Sequence, residues 1–481
     1  MAKQSTEGLT TKKEDNFTDW FTQLMIKAEL ADYTQVSGAI VYRPASFELW
    51  EKIKDECDKE FKKIGIKNSY FPLLIPEKLL TKEEDHIEGF APEVAWVTHG
   101  GNTKLKEKLA IRPTSEAIMY DSYSKWIRSY RDLPLLLNQW NNVVRWEFNN
   151  PVPFFRGREF LWNEAHTVFE TETEALVHGK KVIKAYNKVV EEFMAVPGIY
   201  GRKTEKEKFA GAVFSEKMHH ILPSGRVIEV VCFHYDGQNF AKAYDIKFTS
   251  KNEKEEYVFQ NTHAISTRML GTMLGIHSDN KGVIIPPKLA TNKIVIIPIL
   301  FDDSKKQVLA QAKKIAEELG EFEPILDSRE DISPGKKYNE WELKGIPLRI
   351  ELGPRDLKEN SVMVAKRTSG EKIKIKIRDL KKEIPKLLEI IQSELLKKAK
   401  KLLKDGTVEA KNKTELLKEI KNKKMVKITM CNSEKCEEQL KTDTAGTKVL
   451  FIDPKNPNVS KNKCVICNKK ANYSVYVGKT Y

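Results

Sequence analysis

Residues 110–167 decide the fold, and they read AIRPTSEAIMYDSYSKWIRSYRDLPLLLNQWNNVVRWEFNNPVPFFRGREFLWNEAHT. A polar turn at residues 112–116 precedes apolar residues at helical spacing, which predicts a helix capped by Thr114 or Ser115. Two runs rich in aromatic and β-branched residues follow, joined by a loop that contains Gly157. These runs, LLLNQWNNVVRWEF and REFLWNEAHTVF, predict two paired strands. We therefore expect charged side chains to project from a sheet beside a helix.

Four charged residues lie where the predicted strands meet the connecting loop. Arg145 and Glu147 are two residues apart and so face the same side of a strand, while Arg156 and Arg158 end the loop. An arginine held beside a carboxylate can bind a phosphate group through two hydrogen bonds. A surface salt bridge is the other interpretation of an isolated Arg-x-Glu pair, and the surrounding motifs decide between the two.

The order of these motifs resembles motif 2 of the class II aminoacyl-tRNA synthetases. RPTSE, VVRWE and REFLWNEAHT are similar in particular to the prolyl-tRNA synthetase family. Such a protein needs a third motif with an arginine on a helix, and STRMLG at 266–271 has this form. A predicted helix at 46–63 followed by NSYFPLLIP at 68–76 resembles motif 1, which implies a homodimer. The chain is therefore identified as a member of this family, of its archaeal/eukaryotic type.

The resemblance implies an α/β (α+β) fold of three domains. We expect a class II catalytic domain built on an antiparallel sheet at 1–290, an α/β anticodon-binding domain at 291–400 and a zinc-bearing α/β domain at 401–481. A chain of 481 residues has room for about three domains. After residue 293 a buried strand, a helix and further strands follow in succession, and PGKKYNEWELKGIPLRIELGPRD resembles the anticodon-binding domain.

The composition indicates a globular protein with a polyanionic partner. Apolar residues make up 40% of the chain, and the formal net charge is +14. An excess of lysine and arginine favours nucleic-acid binding, although lysine-rich solvated surfaces are also common. No apolar run approaches the length of a membrane span, and the polar N-terminus lacks the apolar middle of a signal peptide. We therefore predict a cytoplasmic protein without membrane contact.

Two close pairs of cysteines near the end of the sequence predict a metal site. Four residues separate Cys431 from Cys436, and two separate Cys464 from Cys467. In a protein without a secretion signal, this spacing favours one structural zinc ion with four thiolate ligands over disulfides. Free thiols are the other interpretation.

The segment between motifs 2 and 3 predicts more strands of the catalytic sheet. Its runs RVIEVVCFHYDG and AKAYDIKFTS have the composition of strands, with Cys232 and His234 on one face and Glu229 on the other unless a bulge intervenes. About a hundred residues separate Arg158 from Ser266. The resemblance implies that this length leaves no room for the editing domain that bacterial-type members carry there.

The resemblance also implies the reaction and the residues that perform it. The reaction is the ATP-dependent attachment of L-proline to tRNA(Pro) through prolyl-adenylate, releasing AMP and diphosphate, with ATP entering as its Mg2+ complex. The residues implied to bind proline are Thr114, Glu116, Arg145 and His234. The residues implied to bind ATP are Arg145, Glu147, Arg156, Gly157, Glu229, Cys232, Ser266 and Arg268. The C-terminal Tyr481 is implied to pack near the active site.

Charged residues of the second domain are candidates for reading the anticodon. Carboxylates and guanidinium groups can discriminate the Watson–Crick edges of bases that are splayed out of a stack. Ordinary solvated charges are the other interpretation. The candidates are Glu340, Glu342, Arg349, Arg355, Lys366 and Arg367.

Several residues depart from the family pattern. Threonine is more familiar where Gly157 and Cys232 stand, and glutamine is more familiar where Glu229 stands. Ser-Trp-Gly is often found where this chain has Thr262-His263-Ala264. We expect the glutamate at 229 to strengthen magnesium binding and His263 to alter the wall beside the substrate.

Three other interpretations fit parts of the sequence. A synthetase paralogue that no longer charges tRNA would keep the fold but usually loses motif residues. A zinc-stabilised RNA-binding protein would explain the charge and the cysteines, but not Arg145 and Arg268 together with RPTSE. A threonyl-tRNA synthetase is the nearest alternative within the class, but its catalytic Cys/His zinc set is not found around motifs 2 and 3.

Overall fold

A computed structural model gives the fold and describes residues 8–86, 93–146, 151–457, 459 and 462–481. Glu147, one of the predicted ATP-binding residues, lies outside the described residues. Within the described ranges, no helix combines the length and the apolar composition that crossing a membrane requires.

The first half of the chain combines helices with strands of the central sheet and of three smaller sheets. Up to residue 169 the elements are helix α1 (Phe17–Lys27), strands β1 (Ala31–Tyr33) and β2 (Ile40–Tyr42), helix α2 (Pro44–Lys63), strands β3 (Lys67–Asn68) and β4 (Leu74–Pro76), helix α3 (Glu77–His86), strands β5 (Trp96–Gly100) and β6 (Thr103–Ile111), helix α4 (Glu116–Trp126), and strands β7 (Leu135–Val144) and β8 (Glu159–Phe169). From there to residue 277 they are helix α5 (Glu172–Lys188), strands β9 (Ile199–Arg202), β10 (Phe214–Ile221) and β11 (Val227–Gly237), helix α6 (Asn239–Tyr244), strands β12 (Lys247–Thr249), β13 (Glu255–Tyr257) and β14 (Phe259–Ser266), and helix α7 (Arg268–His277).

The second half contains a separate sheet and then returns to the central one. The elements up to residue 405 are strand β15 (Ile294–Pro298), helix α8 (Lys305–Glu318), strand β16 (Ile325–Leu326), helix α9 (Pro334–Lys344), strand β17 (Leu348–Leu352), helix α10 (Pro354–Lys358), strands β18 (Ser361–Lys366) and β19 (Lys372–Lys376), and helix α11 (Leu380–Asp405). The last elements are strand β20 (Thr407–Glu409), helix α12 (Lys413–Lys421), strand β21 (Met425–Met430), helix α13 (Glu434–Asp443), and strands β22 (Lys448–Ile452) and β23 (Tyr473–Gly478).

The central sheet is mostly antiparallel, which confirms the predicted class II core. Its strand order is β20-β21-β23-β22-β9-β10-β11-β14-β8-β7-β3. The two strands predicted from residues 110–167 pair along their whole length, from Leu135 opposite Val168 to Val144 opposite Glu159. The C-terminal strands join the same sheet where Ile452 of β22 pairs with Arg202 of β9. The sheet thus spans two of the predicted domains, and their exact boundaries stay a prediction.

Helices cover one side of the central sheet and form the largest core. Helix α5 begins with a capping box, in which Thr171 accepts a hydrogen bond from the backbone N–H of Glu174 and the Glu174 carboxylate accepts one from the N–H of Thr171. The apolar faces of α1, α2, α5 and α7 meet in one buried cluster that includes Trp20, Phe61 and Leu274. Burying a side chain of this size contributes roughly 1.5–3 kcal/mol. This packing fixes the sheet that carries the predicted site residues.

A mixed sheet of order β16-β15-β17-β18-β19 forms the second domain. Strand β15 is parallel to β16 and β17, while β17, β18 and β19 are antiparallel. Helix α11 buries Leu380, Ile384 and Ile391 in the core of this sheet. This arrangement agrees with the predicted strand, helix and strand succession.

Three local predictions differ from the structure. The segment AKAY is the end of helix α6 rather than part of a strand, and β10, which the sequence analysis did not identify, pairs with β11. Ser115 is the N-cap residue of α4, but its side chain does not cap the helix and donates instead to Glu164. Trp126, one of the apolar residues that marked this helix, lies exposed at its end. For Ser115 a tertiary partner overrides the local preference, because its hydroxyl donates to Glu164 instead of serving the helix end.

Candidate active site

A cavity of about 1010 Å³ opens over the central sheet. It gathers residues from the turn before α4, from strands β8, β10, β11 and β14, from the loop after β9 and from the first turn of α7. The predicted residues that line it are Thr114, Glu116, Arg145, Gly157, Glu229, Cys232, His234, Ser266 and Arg268. Segments more than 150 residues apart in sequence therefore meet in one site.

A buried carboxylate lies at one end of the cavity. The hydroxyl of Thr114 donates to Glu116 and lies 3.2 Å from the carboxylate of Glu164. Burial raises the pKa of Glu116, whose carboxylate accepts a hydrogen bond from the Thr114 hydroxyl. A ligand that supplies a positive charge here would favour the charged form of Glu116.

Glu164, which the sequence analysis did not assign, fixes this end of the cavity from behind. It accepts hydrogen bonds from the backbone N–H of Ser115 at 2.8 Å, from Gln139 at 2.9 Å and from Asn141 at 2.7 Å. Burial opposes ionisation, but hydrogen bonds from His166 and Ser115 lower the pKa of Glu164 to about 2. The polar sequence Asn-Glu-Ala-His inside an otherwise apolar strand was the available signal, since buried charges need partners.

Two further side chains continue this buried network. His166 Nδ1 lies 2.9 Å from the hydroxyl of Tyr120, and Thr262 donates to Asp236 at 2.6 Å. Burial raises the pKa of Asp236 to about 8. His166 lies in REFLWNEAHT and Asp236 in RVIEVVCFHYDG, but the sequence analysis assigned a role to neither.

Arg145 lies between the backbone and two aromatic rings. Its Nε donates to the carbonyl of Pro113 at 3.1 Å. The guanidinium carbon lies 5.5 Å from the ring centroid of Phe160 and 5.3 Å from that of Trp162. Aromatic faces attract a cation at this range. The guanidinium group is therefore held in place with donors left for a ligand in the cavity.

Arg268 begins helix α7 on the opposite wall. Its Nε donates to the carbonyl of Phe155 at 3.0 Å, and its backbone N–H donates to Ser266 Oγ at 3.3 Å. The N-terminal end of a helix adds partial positive charge at the same place. Arg145 and Arg268 thus provide two fixed positive charges in one cavity.

Phe154, Phe155 and Gly157, from the end of the loop between β7 and β8, line one side of the site. A Cβ atom at Gly157 would lie 3.0 Å from the carbonyl oxygen of Gly38, which explains a glycine at this position. Arg156 does not line the main cavity in the described structure. It lines a smaller adjoining cavity of about 20 Å³ together with Tyr42 and Phe154.

A β-bulge corrects the predicted face of Glu229. The register moves from Met218 opposite Val231 to His219 opposite Glu229, so Val230 is the extra residue. The bulge turns Glu229 to the side of Cys232, and both line the cavity. The sequence analysis placed Glu229 on the face opposite Cys232 unless a bulge intervenes, and this bulge is that exception.

His234 is a neutral imidazole in the wall of the cavity. Its Nδ1 lies 2.7 Å from Ser215 Oγ, and its ring lies 4.7 Å from that of Phe209. Burial lowers the pKa of His234 to about 3. It can therefore donate or accept a hydrogen bond but carries no charge near neutral pH.

The prediction that His263 alters the substrate wall is wrong. His263 is fully buried on the other face of β14, where its Nδ1 lies 2.9 Å from the hydroxyl of Tyr186. Its neighbours Thr262 and Ala264 line the cavity instead. The alternation of side chains along the strand accounts for the difference.

The four C-terminal cysteines come together as predicted from their spacing. Their sulfur atoms lie within 4.8 Å of one another, with Cys431 Sγ 3.5 Å from Cys436 Sγ and 3.8 Å from Cys467 Sγ. Four sulfurs held about 2.3 Å from one zinc ion are about 3.8 Å apart in a tetrahedron. The group therefore fits a zinc ion, and Cys464 completes the set.

Helix α13 connects this cysteine group to the cavity. It carries Cys436, and Glu434 at its start lines the cavity. Thr204, in the loop after β9, donates to Glu437 at 3.3 Å. The C-terminal module therefore touches a loop that forms part of the site.

The predicted anticodon residues fall into two groups. Glu342, Arg349, Lys366 and Arg367 line one shallow depression of the second domain. Arg367 makes two hydrogen bonds to Asp279, at 2.9 and 2.7 Å, and so ties this domain to the end of α7. Outside the depression, Glu340 pairs with Arg329 at 2.7 Å, and Arg355 is exposed at the start of α10.

The C-terminal residue lies behind the same site. The ring of Tyr481 stacks on that of Phe155, and the guanidinium carbon of Arg226 lies 4.7 Å from its centroid. The carbonyl of Lys479 accepts a hydrogen bond from the backbone N–H of Val227 at 2.8 Å. The end of the chain is thus anchored at two points next to the cavity.

Comparison with known proteins identifies the family. The sequence matches the class II tRNA synthetase core domain (G, H, P, S and T) at residues 96–277, the anticodon binding domain at 293–387 and the prolyl-tRNA synthetase C-terminal domain at 414–481. The proline–tRNA ligase of Alkaliphilus oremlandii is 42% identical over 100% of this chain and 99% of its own, and that of Natranaerobius thermophilus is 40% identical over 98% of each.

A solved structure gives the same result in three dimensions. The crystal structure of prolyl-tRNA synthetase from Cryptosporidium parvum, complexed with halofuginone and AMPPNP, superposes with a TM-score of 0.94 at 40% identity. The match covers 99% of this chain and 100% of the other. Together with three matching domains in the same order, this shows that the chain belongs to the prolyl-tRNA synthetases, the class II enzymes that attach proline to tRNA(Pro).

Proposed function

We propose that the cavity joins proline to ATP and then passes the prolyl group to tRNA(Pro). The observation that carries this assignment is the convergence of a buried carboxylate at Glu116 with two fixed cations, Arg145 and Arg268, in a single cavity. The first group suits the ammonium of an amino acid. The other two suit its carboxylate and the phosphates of ATP.

Proline occupies the end of the cavity next to α4. Its cyclic ammonium lies against Glu116 and Thr114, and Arg145 takes its carboxylate. The neutral ring of His234 forms part of the wall, where a charged imidazole would repel the substrate cation. Glu164 holds Ser115 and Thr114 in place from behind.

ATP occupies the end next to α7 as its Mg2+ complex. Arg145 reaches the α-phosphate beside proline, while Ser266 and Arg268 hold the nucleotide from the opposite wall. Cys232, Gly157 and Glu229 line the same space. The family pattern adds Glu147 and Arg156 to this group.

The chemistry needs no nucleophile from the protein. The carboxylate of proline attacks the α-phosphate, the bond to the β-phosphate breaks, and diphosphate leaves. A ribose hydroxyl of the tRNA then attacks the activated carbonyl, and AMP leaves. The side chains hold the reactants in line and stabilise the charge on the phosphate oxygens, to which Mg2+ also contributes.

The second domain positions the tRNA, and the C-terminal module supports the end of the central sheet. We assign anticodon reading to the charged side chains of the second domain, namely Glu340, Glu342, Arg349, Arg355, Lys366 and Arg367. A structural zinc ion at Cys431, Cys436, Cys464 and Cys467 stabilises the module that carries α13. The proposed place of action is the cytoplasm.

The proposed editing-free organisation rests on how residues 159–266 are used. Strands β8, β9, β10, β11 and β14 all belong to the central sheet, and α5 packs on it. The described residues between motifs 2 and 3 thus belong to the catalytic core.

A homodimer is proposed from exposed apolar side chains around motif 1. Tyr70 is 70% exposed, and Leu74, Trp96 and Trp126 are exposed beside it in the fold. Exposed apolar side chains that cluster on one surface mark protein–protein interfaces more often than singly exposed ones do. Sedimentation of Tyr70→Asp should show a shift toward monomer relative to the unaltered protein, and an unchanged dimer would place the interface elsewhere.

The test of the proposed function is amino-acid-dependent exchange of diphosphate into ATP. All twenty amino acids are compared, and proline should give the highest rate, followed by charging of tRNA(Pro) and not of tRNA(Thr). Exchange with proline but no charging would indicate a paralogue that has lost the second step. Preference for another amino acid would overturn the assignment of the Glu116 end.

A further inference from the structure

One carboxylate in the wall of the cavity holds two lysines. Lys203 Nζ lies 2.7 Å from Glu229 Oε1, and Lys217 Nζ lies 2.8 Å from Glu229 Oε2. His219 Nε2 lies 3.4 Å from Oε1. Burial alone would raise the pKa of Glu229, but the charges of Lys217 and Lys203 hold it well below its usual range. Both oxygens of Glu229 are therefore occupied by positive charge.

The two lysines are not equivalent. The side chain of Lys203 is 2% exposed and does not line the cavity, whereas that of Lys217 is 24% exposed and does. Lys217 lies opposite Cys232 in the antiparallel pair, so the two side chains share the face that forms the cavity wall. An ammonium group has three N–H donors, and the ion pair with Glu229 uses one of them. Lys217 can thus bind a ligand without leaving Glu229.

The charge balance of this wall favours an anion over a cation. Two ammonium groups flank one carboxylate, which leaves an excess positive charge, and Arg268 adds to it, since its charge acts on Lys217. A metal ion at Glu229 would lie beside two ammonium groups, whose positive charges repel it. The expectation that glutamate at this position strengthens magnesium binding therefore loses its physical basis.

We propose that Lys217 binds the terminal phosphates of ATP and the departing diphosphate, and that Glu229 is a positioning residue for its ammonium group rather than a metal ligand. The proposal rests on the placement of ATP given above. Lys206 and Lys208 also line the cavity, but they pair with Glu438 and Glu205, away from the wall of Glu229. Because Arg145 takes the α-phosphate beside proline, the two phosphates that leave are assigned to Lys217 and to Arg268, which donates to the Glu229 carbonyl at 3.4 Å. Lysine suits this task as a mobile point charge.

The first test compares Lys217→Met with Lys217→Arg in the exchange assay on the full chain. The methionine variant should raise KM for ATP and for diphosphate by about tenfold, the effect of losing one charge-assisted hydrogen bond. KM for proline should stay unchanged, and arginine should restore most of the loss. Lys59→Met, which removes an exposed ion-paired lysine of α2 far from the cavity, is the matched control.

Equilibrium binding separates the terminal phosphates from the rest of the nucleotide. A non-hydrolysable ATP analogue and AMP are titrated against the unaltered protein and Lys217→Met. The variant should bind the analogue more weakly and bind AMP with unchanged affinity, because AMP lacks the β- and γ-phosphates. An equal loss of affinity for both ligands, or no loss for either, would overturn the role of Lys217. If Arg268→Ala lost analogue binding while Lys217→Met bound the analogue normally, the proposed ATP site would stand and only the role of Lys217 would be rejected.

Magnesium dependence tests the role of Glu229. Glu229→Gln should leave the Mg2+ concentration for half-maximal exchange unchanged, while raising KM for ATP because the ammonium of Lys217 loses its anchor. A large rise in the Mg2+ requirement would show that Glu229 is a metal ligand. A lower Mg2+ requirement in Lys217→Met would also show that Glu229 is a metal ligand, since the substitution frees one carboxylate oxygen. The melting temperature of each variant checks that the fold is intact.

Discussion

The ring of Tyr481 stacks on the ring of Phe155, with centroids 4.9 Å apart and planes 4° from parallel. Phe155 lines the cavity, and its carbonyl accepts the Nε–H of Arg268. The last residue of the chain thus supports the peptide that holds the arginine of motif 3. A stacked aromatic pair of this kind contributes about 0.5–1.5 kcal/mol beyond the area it buries.

Removing this ring should therefore weaken ATP binding. We expect Tyr481→Ala to raise KM for ATP by roughly three- to tenfold. Deletion of residues 479–481 should do more, because the hydrogen bonds from Val227 to the Lys479 carbonyl and from Arg226 to the Thr480 carbonyl are lost as well. Tyr481→Phe keeps the ring and should be nearly normal. Phe301→Ala, at an exposed aromatic residue of the second domain, is the control. Unaltered exchange after the deletion would show that the C-terminus is passive.

Arg145→Ala should abolish adenylate formation without unfolding the protein. The side chain is proposed to contact two substrates in a desolvated site, so its loss should cost several kcal/mol, or roughly a thousandfold or more in rate. Proline-dependent exchange measures the loss, and circular dichroism checks the fold. Arg131→Ala, at an exposed arginine near the same strand, should exchange normally. Near-normal exchange in Arg145→Ala would contradict the site assignment.

The four-cysteine group should bind one zinc ion. Metal analysis is expected to give about one zinc per chain, and the double substitution Cys431→Ser with Cys464→Ser should remove it. Because α13 touches Thr204 and lines the cavity, the same variant should also melt at a lower temperature and exchange more slowly. Lys435→Ser, between two of the cysteines, is the control. Four free thiols in metal-replete protein would rule out the site.

Asp236 should make the free energy of unfolding fall as pH rises. Burial raises its pKa to about 8 in the folded protein, while the unfolded value is about 3.9. Between these values the folded state keeps a proton that the unfolded state releases, so its stabilising contribution is full below about pH 4 and is lost by about pH 8. The slope reaches up to about 1.4 kcal/mol per pH unit.

The substitution Asp236→Asn isolates this effect because it keeps the shape and an acceptor for Thr262. The difference in unfolding free energy between this variant and the unaltered protein should carry the slope. Chemical denaturation from pH 5 to pH 8 measures it. Asp331→Asn, at an exposed position, should leave the pH dependence unchanged. Parallel curves for Asp236→Asn and the unaltered protein would contradict a neutral Asp236.

Arg355 should contribute to tRNA binding and not to adenylate formation. It is exposed at the start of α10, in the domain matched to anticodon binding, and its guanidinium group is accessible to a base or a phosphate. We expect Arg355→Ala to raise KM for tRNA(Pro) by roughly tenfold and to leave exchange unchanged. Arg378→Ala, at a side chain 86% exposed in the same domain, is the control. Equal effects of both variants would indicate general charge attraction only.

The sequence by itself determined several elements and most members of the site. Apolar residues at helical spacing predicted α4, and the two apolar runs predicted β7 and β8. The reason is that the period of the apolar residues sets which face of an element is buried. The spacing of the cysteines predicted their cluster. The order of the three motifs predicted the family, and with it nine residues that line one cavity.

Only the tertiary structure decided which side chains face each other across the sheet. The bulge at Val230 turns Glu229 toward Cys232, and the register between β10 and β11 gives it Lys217 as a partner. His263 points away from the cavity for the same kind of reason. Register and bulges depend on pairing between distant segments, and a shift of one residue reverses the face of every side chain. A sequence read along its length does not contain that pairing.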